Sequence, residues 1–107
     1  MMDNEIIQAL STLGFDFAYE EYAGSNDTYI VYSEYDGRPE AYADNQEILE
    51  SFYYQFDIFS KSDYSALLKA LKQSLFLLGG TRQNEFSHFE GEVHQRSIRF
   101  KFIRETE

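Results

Sequence analysis

The sequence predicts an α+β domain, a mainly antiparallel sheet with two helices packed on one face, in the order α-β-β-β-α-β-β. Three observations carry that prediction. Phe52, Tyr54, Phe56 and Ile58 recur at a spacing of two, with Ser51, Tyr53, Gln55 and Asp57 between them, which is the pattern of a half-buried strand. Tyr64, Leu68, Leu71, Leu75 and Leu78 recur at steps of four and three, so they form one stripe of a helix. The strand-like segments are grouped before and after this helix and joined by short turns, where a parallel sheet would alternate strand and helix one by one.

Taken in chain order, Ile6, Ile7, Leu10 and Leu13 have helical spacing. With Asp3 or Asn4 as cap and Gly14 as stop, they predict a first helix over Glu5–Leu13. Phe15 to Tyr22 alternates as a strand, Ala23-Gly-Ser-Asn-Asp27 is turn chemistry, and the β-rich Thr28–Ser33 follows. The expectation is an antiparallel hairpin with a loop longer than the tight two-residue type. From Tyr35 to Glu47 the periodicity vanishes, and Asp36-Gly-Arg-Pro39 is a turn signal. This segment, with the only proline, reads as a long loop, and a loop of that length in a compact domain tends to carry function.

The central strand is expected over Ile48–Phe59 and the second helix over Ser62–Leu78. Ser60 or Ser62 serves as the cap and Gly79-Gly80 as the stop, with Ser60 and Asp63 approximating a capping box. Glu85–Glu90 reads as an irregular strand, and Gly91 as a turn or bulge. In the last strand, Val93–Arg104, Ile98, Phe100 and Phe102 face one way and Ser97, Arg99 and Lys101 the other.

A chain of 107 residues is one domain, 1–107, around a single core. Nineteen acidic against nine basic residues leave a formal charge of -10. Sequence-independent nucleic-acid binding requires Lys and Arg to neutralise phosphates, so this balance argues against it, although an acidic surface can face DNA by repelling it. With no cysteine, a disulfide framework, a thiolate nucleophile and a Cys-ligated metal are excluded. The first residues lack the basic start and apolar middle of a signal peptide, and no apolar run is long enough to span a membrane.

Nine Tyr and ten Phe make 18% of the chain aromatic. A small domain has difficulty burying that many rings, and Tyr and Phe are enriched where proteins meet, so an oligomer or partner surface is one reading. Rings lying flat on a sheet with wet hydroxyls are the other. Tyr53, Gln55, Asp57 and Phe59, on the far face of the central strand, with Arg96, Arg99 and Lys101 of the last strand, are the candidate subunit interface. A basic edge on an acidic molecule suits head-to-tail recognition between identical subunits.

Chemistry has few candidates. His88, Glu90, Glu92 and His94 would share a face of a continuous strand and offer ligands to a divalent ion, but Gly91 interrupts the alignment. Carboxylate pairs such as Glu20 with Glu21, or Asp44 with Glu47, arise by chance among nineteen acids. No phosphate loop or nucleophile motif is present, since Gly79-Gly80 follows a helix where phosphate-cradling glycines follow a strand. The expectation is a non-enzyme without cofactor or metal.

The run Tyr42-Ala-Asp-Asn-Gln-Glu47, the strand Tyr54-Gln-Phe-Asp-Ile-Phe-Ser-Lys61 and the ending Asn84-Glu-Phe86 to Phe100 resemble the tail-completion proteins of long-tailed phages and prophages, also called tail terminators or tail-to-head joining proteins. The resemblance covers most of the chain from about Phe17. The chain departs from the pattern at Glu92 and Val93, where the family carries a small and a tyrosine-like residue. The resemblance implies a structural virion protein that forms a ring, usually hexameric, capping the tail tube. Its partners would be itself, the tail-tube protein and the head-completion or connector protein, in the virion and, during assembly, in the host cytoplasm. It also implies that Tyr35–Glu47 faces the channel, so Asp36, Arg38, Glu40, Tyr42, Asp44 and Glu47 would line a passage through which DNA moves without specific binding. The alternative of another class is a small acidic module that mimics DNA and acts on a host nucleic-acid-binding protein.

Overall fold

The strand at the centre, Gln46–Ser60, is built on the alternation described above. Phe52, Tyr54, Phe56 and Ile58 turn inward with at most 8% exposure, while Tyr53, Gln55, Asp57 and Phe59 are partly exposed on the other face. The computed structural model describes residues 2–43 and 46–106, with Tyr42 described by its backbone alone. Its elements are α1 (Asp3–Ser11), β1 (Asp16–Tyr19), β2 (Tyr29–Ala43), β3 (Gln46–Ser60), α2 (Ser65–Leu77), β4 (Thr81–Glu90) and β5 (Val93–Glu105). They follow the predicted order and make one five-stranded sheet, β1-β2-β3-β5-β4.

Both helices lie on the inward face. Ile6 and Leu10 of α1 and Leu67, Leu71 and Leu75 of α2 join Ile30, Tyr32, Ile98, Phe100 and Phe102 in one buried cluster with the inward side chains of β3. Tyr64, Leu68 and Leu78 of the predicted stripe pack at its margin, and Leu67 takes a central place. A helical face wider than one row of residues accounts for the difference. Met2, at 2% exposure, closes the core beneath α1.

The helix ends depart from the expected caps. α1 begins at Asp3 with Met2 as N-cap, and neither N-cap residue, Met2 or Tyr64, makes a side-chain capping bond. The Asp3 carboxylate accepts a 2.9 Å bond from the buried Tyr54 hydroxyl instead. Ser60 is fully buried and bonded to Thr28 and Ser62, so α2 starts at Ser65, whose N–H and hydroxyl donate to Asp63. The C-terminal stop is as predicted. Gly79, at φ 86°, donates to the Phe76 carbonyl and Gly80 to the Leu75 carbonyl, a Schellman arrangement that needs a left-handed residue. The Arg104 guanidinium adds a 2.6 Å bond to the Leu78 carbonyl and pairs with Glu5 of α1, tying both helices to β5.

Two expectations about the first half are corrected. β1 pairs with β2 in parallel, Asp16 opposite Tyr29 through Tyr19 opposite Tyr32, and not as an antiparallel hairpin. The connection doubles back because Tyr22 stacks on Tyr29 at 4.0 Å between ring centres, while its hydroxyl and the Asn26 amide both donate to Asp16 at the start of β1. Returning along a four-residue strand requires only ~13 Å of chain, well within the reach of that connection.

The segment Tyr35–Glu47 is strand at every described position and not a loop. β2 and β3 form a long antiparallel hairpin whose register shifts between Glu34 and Asp36, between Pro39 and Ala41, and between Ala41 and Tyr42. Each bulge resets which residues face inward, which erases a period of two from the sequence without ending the strand. Beyond Tyr32 no strand pairs with the outer side of β2 among the described residues, and an edge strand tolerates Pro39. β4 is likewise longer than expected, running Thr81–Glu90 as an exposed edge beside β5.

Burial pushes the Tyr54 hydroxyl well above the ordinary tyrosine pKa, and its bond to Asp3 acts in the same direction. Burial raises Tyr32 likewise. A raised phenol contributes stability that is complete below the unfolded value of about 10 and is lost as pH rises through the folded value. An alkaline titration read by tyrosinate absorbance is therefore expected to show a late step that coincides with loss of near-ultraviolet circular dichroism. Tyr54→Phe shrinks that step; ionisation of Tyr54 near pH 10 in the folded protein contradicts its burial.

Candidate interaction face

The helices cover one side of the sheet, and among the described residues nothing covers the other. The cross-strand register assigns this open face. Tyr53 lies opposite Lys101, Gln55 opposite Arg99, Asp57 opposite Ser97 and Phe59 opposite Gln95. Of the seven predicted interface residues, Tyr53, Gln55, Asp57, Phe59, Arg99 and Lys101 therefore share it. Arg96 does not. It lies opposite Ile58 and Ser87 on the helix-covered side, where its Nε donates to Glu85 at 2.6 Å. Parity alone separates it, since Arg96 is an even step from Ile98 and an odd one from Arg99.

Three of the predicted channel residues, Asp36, Arg38 and Glu40, come to the same face. Asp36 lies opposite Tyr53 and Arg38 opposite Ser51. Arg38 donates to Asp36 at 2.6 Å and its guanidinium carbon sits 5.4 Å from the Tyr53 ring centre. Glu40 accepts from the Lys101 ammonium at 3.2 Å, and this bond holds the Lys101 pKa above its ordinary value. Two groups predicted as separate features are thus joined by the Lys101–Glu40 ion pair and by Arg38 over Tyr53. Glu47 lies opposite Tyr42 near the hairpin end, and Asp44 falls outside the described residues.

Arg99 occupies the middle of this face. Its Nε donates 2.8 Å to the Gln55 carbonyl oxygen, and its guanidinium carbon lies 4.9 Å from the Tyr35 ring centre and 5.9 Å from that of Phe86. The Gln55 amide in turn donates to Asp57 at 3.1 and 3.2 Å. The orientation of that amide follows from its neighbours, because a guanidinium only donates and a carboxylate only accepts. Ser97 and Gln95 also donate to Asp57. Burial raises the Tyr35 pKa, and the Arg99 charge works against that rise.

Further along, Phe59 stacks on Tyr29 at 5.1 Å and Tyr29 on Tyr22, extending the aromatic surface across β2. Tyr35 and Phe86 remain 44% exposed and Ile103 43%. Tyr35, Phe86 and Tyr29 were not among the predicted site residues. Phe86 was findable from its alternation with Glu85, but Tyr35 was hidden by the bulge beside it.

The open face sets aromatic rings beside arginine and amide side chains, a mixture enriched in protein interfaces. The candidate ion ligands are split by the tight turn at Gly91, φ 61°, between Glu90 and Val93. His88, with Glu90 3.6 Å away, lies on the open face, whereas His94 packs against Phe89 and Tyr64 on the helix side. Among the described residues no helix is long and apolar enough to cross a membrane. No protein-family model matches the chain, and no curated protein matches it significantly.

Proposed function

We propose that the protein is a structural subunit of a phage or prophage particle, which assembles into a ring that caps the tail tube and joins it to the head. The observation that carries this reading is the open sheet face, where aromatic rings, Arg38, Arg99 and Lys101 form a broad surface with no cover among the described residues. Such a mixture of rings and arginine is what protein interfaces select. In this reading the face docks neighbouring subunits or the tube protein, and the β2–β3 hairpin, in place of a loop, presents its acidic end to the DNA passage. Like charge there lets DNA move without adhering. The work is geometric and involves no catalytic step. A DNA mimic would need free carboxylates in a duplex-like double row, whereas Glu5, Asp36, Glu40 and Glu85 are held by the protein's own cations.

The test is co-assembly with the tail-tube protein encoded by the same genome, followed by electron microscopy. Rings at tube ends, and tubes of limited length, are the expected result. A chain that stays free of tubes and never forms rings rejects the reading.

A further inference from the structure

We infer that the free protein is a two-fold dimer closed through the open sheet face, with Arg99 of each copy on Asp57 of the other. It concerns the free protein and does not require the particle reading, although the dimer closes over the same face, which assembly on a tube would have to open. It rests on two charges of opposite sign held one register step apart on neighbouring strands, since Gln55 lies opposite Arg99 and Asp57 opposite Ser97.

Among the described residues neither charge meets its opposite. Among the described residues Arg99 has no carboxylate within ion-pair distance, and its recorded hydrogen bond uses Nε alone. Among those residues Asp57 accepts only from the neutral groups of Gln55, Gln95 and Ser97. The other cations of the face differ in this respect, because Arg38 and Lys101 are paired with Asp36 and Glu40. Both side chains are also already positioned. Gln55 bridges them, accepting from Arg99 and donating to Asp57, while Tyr35 and Phe86 flank the guanidinium. Pre-positioned groups lose little freedom on binding.

A two-fold contact presents the same patch from both sides, so a residue that meets another across it is met in return. A face carrying one unpaired cation beside one unpaired anion is complementary to itself in that geometry. A head-to-tail contact would bring a different surface to Arg99 and leave Asp57 to a third. The area suffices, because β2 and β3 each run 15 residues, roughly 50 Å at strand rise, in a molecule 53 Å long, while a stable complex needs only ~800 Å² from each partner. Tyr35, Phe86 and Ile103, each more than two-fifths exposed, supply apolar surface around the pairs.

Sedimentation or native mass spectrometry over a concentration series tests the inference, with the wild-type chain expected to be a dimer. Arg99→Asp and Asp57→Arg each set like charges together twice across the axis, and each is expected to weaken dimerisation on the order of 100-fold or more. Mixing the two variants restores two opposite pairs, so a mixed dimer is expected from chains that are monomeric alone. General damage to the fold cannot produce that rescue, and circular dichroism of each variant checks folding directly. A monomeric wild type, unchanged dimers in either variant, or a mixture that stays monomeric overturns the inference. Rings on tail tubes without a free dimer would overturn it and leave the particle reading standing; a dimer that never assembles on tubes would do the reverse.

Discussion

Phe56→Ala is expected to lower stability by about 3–5 kcal/mol, the range for truncating a large aromatic core side chain. Phe56 has no exposed surface, lies near Tyr54 and Tyr32, and meets Phe100 edge-on at 6.4 Å between ring centres. Truncation removes these contacts in a core that can close around the gap only in part. A domain of this size holds roughly 5–15 kcal/mol in total, and each kcal/mol moves its melting point by about 4–8 °C. The variant should therefore melt well over 10 °C lower, if it folds at room temperature at all. Phe59→Ala supplies the control, because Phe59 is on the opposite face and only partly buried. Thermal denaturation of the two side by side tests the assignment of faces. Equal losses would mean that the strand's parity is wrong, since slipping the register by one residue exchanges its two sides.

The second large effect is expected at Glu85. Its side chain is only 7% exposed and meets Lys72 of α2 at 2.7 Å, Arg82 at 3.0 Å and Arg96. This one carboxylate joins the exposed edge strand β4 to β5 and to the helix above. Removing one partner of a fully buried ion pair costs about 3–5 kcal/mol. Here the cations left behind are 25–52% exposed and can recover water, so Glu85→Ala is expected to cost somewhat less, about 2–3 kcal/mol. Burial pushes the Glu85 pKa up, but the donors from Lys72, Arg96 and Arg82 outweigh it and hold the net value below the ordinary 4.5. A lowered carboxylate contributes stability that is complete above its unfolded value and is lost as pH falls through its folded value. Denaturant titrations through and below pH 4.5 should show a shallower acid slope for Glu85→Gln than for wild type. An unchanged slope with unchanged stability would show that the cluster contributes nothing.

Much of this fold was readable from local pattern, and the failures share one cause. The inward set of β3, the stripe of α2, its Gly79-Gly80 stop and the two faces of β5 all follow from periods of two or 3.6. Each is a property of neighbouring residues, so no knowledge of partners was needed. The hairpin beyond Tyr32 was misread as a loop because its bulges break the alternation, and a bulge is specified by the opposing strand as much as by its own residues. The parallel pairing of β1 was missed because it depends on Tyr22 folding back onto Tyr29 and Asp16. The expected caps failed similarly. Asp3 had a buried tyrosine hydroxyl to satisfy, and Ser60 had a place inside the core.

The same division runs through the candidate site. Composition and alternation sufficed to name Tyr53, Gln55, Asp57, Phe59, Arg99 and Lys101 as one surface, because residues two apart on a strand must share a face. They sufficed as well to exclude Arg96, which is an even step from Ile98. They did not suffice to join that surface to Asp36, Arg38 and Glu40, or to show that Gln55 stands between Arg99 and Asp57, neither of which has an ion-pair partner among the described residues. Those facts depend on which residue lies across from which. Cross-strand register is settled by packing and hydrogen bonding between segments distant in the chain, and a local sequence period carries no record of it.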